Sequence, residues 1–434
     1  MDYITRITDV VIDRKIQAFN AINIQGPKGC GKTRTCKERC KTVIEFQDEE
    51  LREGYLNIAN TAPSLFFNND KPILFDEWQD APKIWGAIRK NCDDNPESTG
   101  SFYLTGSTST KVDTAHTGTG RISSIMMYPM TLWETGDSNG GVSLTKIFED
   151  TNYAPIAKNN LKLEDLFYIV CRGGWPKCLA IKGKTGKLEV AKDYFQQIYM
   201  KDISTVDNVK RNPEIARILI KSYARNVATL AKKTAIYADV QSSQSVTDVT
   251  LASYVSALEK LYVIKDIDAW MPQIRSKTAI RASKKHIFLD PSIAAAALGI
   301  SPEYFEKDLD SFGHLFENLV IRDLLAYAEA NNAHVMHYRD DTGLEVDAVY
   351  QLEDGRYALI EIKTGVNAVE KAEDNLLRFK SVIHEHNIKA TKNKDHPGVI
   401  YREPDHMIVI CANAPMAYTT EKGIRVIPFA CLKN

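Results

Sequence analysis

The run Gly26-Pro27-Lys28-Gly29-Cys30-Gly31-Lys32-Thr33 constrains this chain more than any other feature. It spells G-x-x-x-x-G-K-[ST], a loop that leaves a strand, wraps a phosphate chain with backbone N–H groups and opens a helix. The flanks agree. Ala21–Gln25 alternates as a short buried strand, and Lys32–Lys41 is composed as a helix. The glycines let the main chain curl around phosphate, and the helix adds the positive end of its dipole. Gly26, Pro27, Lys28, Gly29, Cys30, Gly31, Lys32, Thr33 and Arg34 are therefore the nucleotide-binding candidates. Lys32 would reach the β- and γ-phosphates, and Thr33 would ligate Mg²⁺. Cys30, Cys36 and Cys40 fall in the loop and helix, which removes them as a zinc cluster. Eight scattered cysteines without a C-x-x-C point to reduced thiols in a cytoplasmic protein.

A phosphate loop needs a second, acidic strand. Lys71-Pro72-Ile73-Leu74-Phe75-Asp76-Glu77 supplies it: three apolar residues, as in a strand buried on both faces of a parallel sheet, then two acids. Asp76 would hold Mg²⁺ and Glu77 would polarise the attacking water as general base. Ser101–Ser107 is another short strand ending in small polar residues. Gly118-Thr119-Gly120-Arg121 precedes the apolar run Ile122–Tyr128. Two readings of Arg121 stand: an arginine finger, in cis or from a neighbouring subunit, and an ordinary surface residue.

This order of motifs resembles the AAA-like P-loop ATPases of bacteria and archaea. More narrowly it resembles a set in which that ATPase is fused to a C-terminal domain of unknown function. The residues that carry the likeness are Gly26–Thr33, Asp76-Glu77-Trp78-Gln79, Leu104–Ser107, Gly120-Arg121, Tyr128-Pro129-Met130 and Trp133-Glu134. Arg172-Gly173-Gly174-Trp175-Pro176, Tyr199–Ile203, Gly313–Asn318 and Glu345-Val346-Asp347 extend it over nearly the whole chain. Ser138–Ser143 and Val366–His396 lack the pattern and read as loops. The resemblance implies ATP and Mg²⁺ as cofactors. It also implies a polar residue, Thr105 or Ser107, on the γ-phosphate side; a plain Ser/Thr turn capping the strand is the alternative.

Between Lys201 and Lys285 there are 15 Lys/Arg against 8 Asp/Glu, in a chain of net charge −1. The chain as a whole is not a basic nucleic-acid coat, but this section is locally basic. Asn212-Pro213-Glu214 reads as a helix start, and Ile215, Ile218, Leu219 and Tyr223 follow at helical spacing. Leu251, Tyr254, Val255, Leu258 and Leu261 form another stripe, running into strand-like residues through Ile267. Helices followed by a strand pair are the order of a winged helix-turn-helix. The outer face of the last helix offers Thr250, Ser253 and Ser256, poor in base-reading groups. Arg275, Lys277, Arg281, Lys284 and Lys285, just beyond, form a basic cluster suited to phosphates. Use of this fold for packing or subunit contacts is the competing reading.

Farther on, Leu315–Ala330 is helical with Glu317 near its start. Leu344–Tyr350 alternates as a strand, and Tyr357–Lys363 is a second one after the turn Glu353-Asp354-Gly355. Pairing them brings Asp347 near Glu361 and Lys363, and i, i+2 spacing projects the last two to one side. This D…E-x-K set resembles the core of restriction-endonuclease-like enzymes. The resemblance implies Mg²⁺ held by Asp347, Glu361 and Glu317, with Lys363 activating water. A surface ion pair is the plain alternative.

The expectation is an α/β chain: an AAA-like P-loop parallel sheet over residues 1–160, a helical linker over 161–210, a winged-helix-like domain over 211–285, and an endonuclease-like α/β domain over 286–434. No apolar run reaches the roughly 18 residues of a membrane span. The function expected is Mg²⁺-dependent ATP hydrolysis acting on or with DNA. A nucleotide-regulated switch for a protein partner and an ATP-dependent nuclease are the alternatives, and oligomerisation stays open.

Overall fold

The computed structural model describes residues 2–106, 118–272, 283–392 and 399–434. Ser107, Arg275, Lys277 and Arg281 lie outside them.

Five short apolar runs form one parallel sheet. They are β1 (Ala21–Gln25), β2 (Thr42–Glu45), β3 (Ile73–Asp76), β4 (Phe102–Gly106) and β5 (Ile122–Met126), in the order β2-β3-β4-β1-β5. β4 separates the P-loop strand β1 from the acidic strand β3, with Ile24↔Thr105 and Asp76↔Thr105 in register. All five strands run the same way, so the loop after Gln25, the acid Asp76 and Thr105 share the sheet's carboxyl edge. Arg121 precedes β5, whose first residue pairs with Ala21 at the start of β1. It therefore lies at the opposite edge, a strand length of roughly 16 Å away, and the cis arginine finger is overturned. There Arg121 pairs with Asp93 at 2.7 Å.

Residues 138–143, expected as a loop, contain β6 (Val142–Ser143). The middle of the chain is helical: Leu163–Arg172, Lys184–Gln197, Pro213–Arg225, Lys233–Gln241 and Asp248–Lys260. Asn212 caps the third of these, its side chain accepting the Glu214 N–H at 2.9 Å. An antiparallel pair follows, β7 (Ile264–Ile267) with β8 (Lys285–Phe288). The next helix, Pro291–Leu298, packs back on the helices of this middle region.

The C-terminal sheet contains β9 (Ala333–Arg339), β10 (Glu345–Leu352), β11 (Tyr357–Lys363), β12 (His406–Cys411), β13 (Tyr418–Thr419) and β14 (Arg425–Pro428), ordered β13-β14-β12-β11-β10-β9. The helix Leu309–Asn331 packs against β9, β10 and β11, and the helix Val369–Lys392 against β10, β11 and β12. The second helix corrects the loop expected over Val366–His396. Ala372, Leu376, Phe379, Ile383 and Ala390 recur on one face and are buried, which fixes the helix despite its many polar residues. The first helix begins earlier than expected, placing Glu317 in its third turn.

One apolar core runs from the P-loop sheet through the middle helices to Leu309–Asn331, and separate cores fill the outer faces of the two sheets. Two polar features join the parts. Arg322, 1% exposed at its side chain, lies between Asp290 at 2.9 Å and Asp323 at 2.7 Å. Asp323 also accepts the Leu132 N–H, and Asp290 the Gly174 N–H, each at 2.8 Å. Near the other end of the sequence, β15 (Leu432–Lys433) pairs in parallel with β6.

Phe379→Ala should cost about 3–5 kcal/mol, because Phe379 is 1% exposed and packs on Tyr338 at 4.7 Å between ring centroids. Chemical denaturation checks this. Val382→Ala, on the exposed side of the same helix, should stay within about 0.5 kcal/mol.

Candidate nucleotide site and a second carboxylate site

The loop after β1 can take its path only with glycine at two points. At Gly26 (φ 152°) a Cβ would stand 2.2 Å from the Met127 carbonyl oxygen, and at Gly31 (φ 110°) 2.9 Å from Arg6 Nη1. Arg6 braces the loop from behind. Its guanidinium donates to the Cys30 carbonyl at 2.7 Å, the Tyr128 carbonyl at 3.0 Å and Glu134 at 2.8 Å. Glu134 in turn accepts from Ile7 N–H and Thr131 N–H, both at 2.7 Å. Nothing local in the sequence marks Arg6; its role depends on a contact 128 residues away.

Lys32 is buried and donates to the Gly26 and Pro27 carbonyls, both at 2.9 Å. Thr33 Oγ1 donates to Asp76 Oδ1 at 2.8 Å, and Thr105 Oγ1 donates to the same oxygen. Burial pushes the Asp76 carboxyl above its ordinary range, and the two hydroxyls pull it back. This donor set fits Mg²⁺: a hydroxyl and a carboxylate side by side at the phosphate loop. Glu77 follows in left-handed backbone (φ 53°), its N–H on Thr105 Oγ1 at 3.3 Å. That kink turns its carboxylate away from the strand direction, where Gln79 donates to it at 2.5 Å. Cys30 and Cys36 are buried in the loop and helix. Arg34 pairs with Glu38 at 2.6 Å and borders a cleft of about 260 Å³ walled by Tyr3, Ile4, Gly31, Met130, Pro176 and Leu179.

Residues 18–136 match the family model of an AAA domain. The five-stranded parallel sheet β1–β5 lies within that matched stretch. Residues 163–304 and 312–432 match two domains of unknown function, DUF8612 and DUF4143. Among curated proteins there is no match. Among solved structures, a Walker-type ATPase of Pyrococcus abyssi aligns with 68% of this chain and 96% of its own, at 13% identity and a TM-score of 0.42.

The structure also brings the C-terminal candidates together. The β10–β11 ladder runs only as far as Ala348↔Ile360, and β10 is irregular against β9 between Val346 and Val349. Released from the ladder, Asp347 Oδ2 accepts the Ile362 N–H at 2.8 Å and Lys363 Nζ at 2.9 Å. Lys363 also meets Glu361 at 2.6 Å, whose other oxygen accepts from Asn375 at 2.6 Å. Glu317 joins this group through a lysine. It pairs with Lys285, at 2.5 Å, and Lys285 also donates to the Asp347 carbonyl at 3.0 Å. Two expectations are corrected here. Lys285, expected as an exposed phosphate contact, has a side chain only 1% exposed, because β8 directs it inward. Glu317, Asp347 and Glu361, expected as one metal shell, meet two at a time around lysines. Among the described residues no three His, Cys, Asp or Glu side chains form a metal cluster. Lys284 pairs with Asp268 at 2.8 Å. Asn375, like Arg6, has a role here that sequence reading did not assign, and Lys285 has a different role from the one expected.

Burial pushes Glu317 up to about 7, against the pull of Lys285. Burial and the Asp347 charge push Glu361 up to about 7. Burial would raise Asp347 too, but Lys363 and Lys285 outweigh it and hold that carboxyl low. Glu317 thus holds its proton more tightly folded than unfolded, where it titrates near its ordinary 4.5. Its contribution to stability is present below about pH 4.5 and is lost as pH rises through about 7. Glu317→Gln removes that loss. Whatever the offset at low pH, the melting temperature of the variant relative to wild type should rise across this window; a flat difference would contradict it.

Proposed function

We propose that this chain is a Mg²⁺-dependent ATPase whose nucleotide cycle drives its C-terminal half on DNA. One observation carries the ATPase reading: Thr33, Asp76 and Thr105 converge on one carboxylate oxygen at the carboxyl edge of three adjacent parallel strands. The AAA-domain match over 18–136 supports the same reading. Lys32, held by two loop carbonyls, is within one side-chain swing of a phosphate chain. The cleft walled by Tyr3, Ile4, Pro176 and Leu179 offers apolar faces for a purine. Mg²⁺ held by Thr33 and Asp76 would neutralise charge on the β- and γ-phosphates. Glu77 takes the proton of the attacking water, oriented by Gln79. Arg121 is the finger residue for a neighbouring subunit, since its own nucleotide lies at the far edge of the sheet.

Lys32→Ala should abolish ATP binding. Glu77→Gln should retain binding and lose turnover by about 10²–10⁴-fold, measured as phosphate release. Unchanged turnover would remove Glu77 as the base. If Arg121 works in trans, activity per subunit climbs with protein concentration and Arg121→Ala removes the climb.

A nuclease reading of the C-terminal half has its own support. Asp347, Glu361 and Lys363 meet within 2.9 Å on diverging strands, a donor set that already holds one cation, the Lys363 ammonium. With Mg²⁺ or Mn²⁺ drawn to the carboxylates, Lys363 would orient water toward a phosphodiester. The three helices and the β7–β8 pair support a winged-helix module beside it. Plasmid and linear DNA should be cleaved with either metal, and Lys363→Ala should lose the cleavage. DNA bound but uncut would leave a gripping module, and DNA unbound at low salt would favour the protein-partner switch.

A further inference from the structure

Lys28, the third residue of the phosphate loop, is claimed by the helical segment that follows the ATPase domain. The helix Lys184–Gln197 passes into a π-helical turn, Ile198–Asp202, before regular helix resumes. A π turn inserts an extra residue and swings its side chains off the ordinary helical stripe, and such turns recur at functional sites. Here it aims Asp202 at the loop, Oδ1 standing 2.7 Å from Lys28 Nζ. Two turns earlier Tyr194, stacked on Trp175 with ring centroids 4.4 Å apart, borders the same cleft as Lys28. One helical run therefore holds this loop residue by its side chain and walls the cleft beside it. The two partners differ in freedom: the Asp202 side chain is 13% exposed and that of Lys28 48%. A cleft of about 710 Å³ opens along the contact and gives Lys28 room to move. Facing it are Glu189, Asp193 and Asp202 against Lys28, Lys177 and Lys201.

The charges make this contact more than a tether. A nucleotide in the loop presents negative phosphates, more of them in a triphosphate than in a diphosphate. Asp202 has the same sign, and it occupies the ammonium that the phosphates would draw. Opposite charges within contact distance are worth most where water is partly excluded, so an ammonium shared between two anions cannot serve both fully. We infer that Asp202 is a specificity-determining residue of the nucleotide site. It holds Lys28 on the helical segment, opposes the phosphate chain in proportion to its charge, and gives Lys28 up when a triphosphate binds. Binding linkage is reciprocal: the free energy by which Asp202 weakens triphosphate binding is the free energy by which triphosphate loosens Asp202 and the Ile198–Asp202 turn. The inference rests on the ATPase reading above and adds to it the route by which the helical segment senses the phosphates.

The test measures affinities of the full chain for ADP and for a non-hydrolysable ATP analogue, with Mg²⁺. Asp202→Asn keeps the shape and removes the charge. It should tighten the triphosphate analogue by about tenfold and ADP by distinctly less, and Lys28→Gln should cancel the gain in the double variant. Affinity that is unchanged, or weakened equally for both nucleotides, would make Asp202 a structural tether and overturn the inference. If Asp202→Asn does not fold, hydrogen exchange on the wild-type chain decides. Exchange over 198–205 should rise with the triphosphate analogue and rise less with ADP; no difference overturns it. Failure of the ATPase reading looks different: wild type would bind neither nucleotide in a way that Lys32→Ala abolishes.

Discussion

The molecule turns on one buried guanidinium. Arg322 could not be taken out of water alone; a buried unpaired charge is among the costliest things a fold can contain. Asp290 and Asp323 flank it, and each also accepts a backbone N–H from another part of the chain, Gly174 and Leu132. Arg322 belongs to the helix beneath the C-terminal sheet, Gly174 to the segment after the helix Leu163–Arg172, and Leu132 to the chain leaving the parallel sheet. Three regions meet because three sets of polar groups are satisfied only together. Losing one partner of such a set costs about 3–5 kcal/mol, a large share of an ordinary domain's stability.

Beside that node the same logic reaches the phosphate loop. Leu132 follows Thr131, whose N–H is held by Glu134; Glu134 holds Arg6, and Arg6 holds the Cys30 carbonyl. The loop's curvature is thus set from behind by a buried ion pair as much as by its glycines. Its front is set by Lys28 on Asp202. A loop braced on both sides presents its N–H groups in a fixed array, the condition under which backbone dipoles bind phosphate well.

What was legible in the sequence follows from how local each cause is. Gly26 and Gly31 were readable because their backbone angles and close contacts admit no side chain, and Asp76 because a strand buried on both faces shows as an apolar run ending in an acid. Glu361 and Lys363 were readable because i, i+2 spacing projects both to one side of β11, and Asp347 because the paired strand β10 carries it alongside. Arg121 misled, since its end of the sheet depends on strand direction and order, which a motif does not carry. Lys285 misled more deeply: within a run of basic residues it looks solvated, and only β8 leading it to Glu317 and the Asp347 carbonyl makes it a core residue. The helix Val369–Lys392 hid because Glu, Lys and His fill its outer face, although Leu376, Phe379 and Ile383 kept the spacing.

The pairing of β15 with β6 has a mechanical consequence. It ties the segment after the C-terminal sheet to the segment after the parallel sheet, while Arg322 ties the same two regions through the helix Leu309–Asn331. These attachments add to the apolar core that the two regions share, so the regions are held along a whole face and not at single points. The chain closes back on itself, and the two regions cannot part without opening the core, the Arg322 node and the β6–β15 pair together.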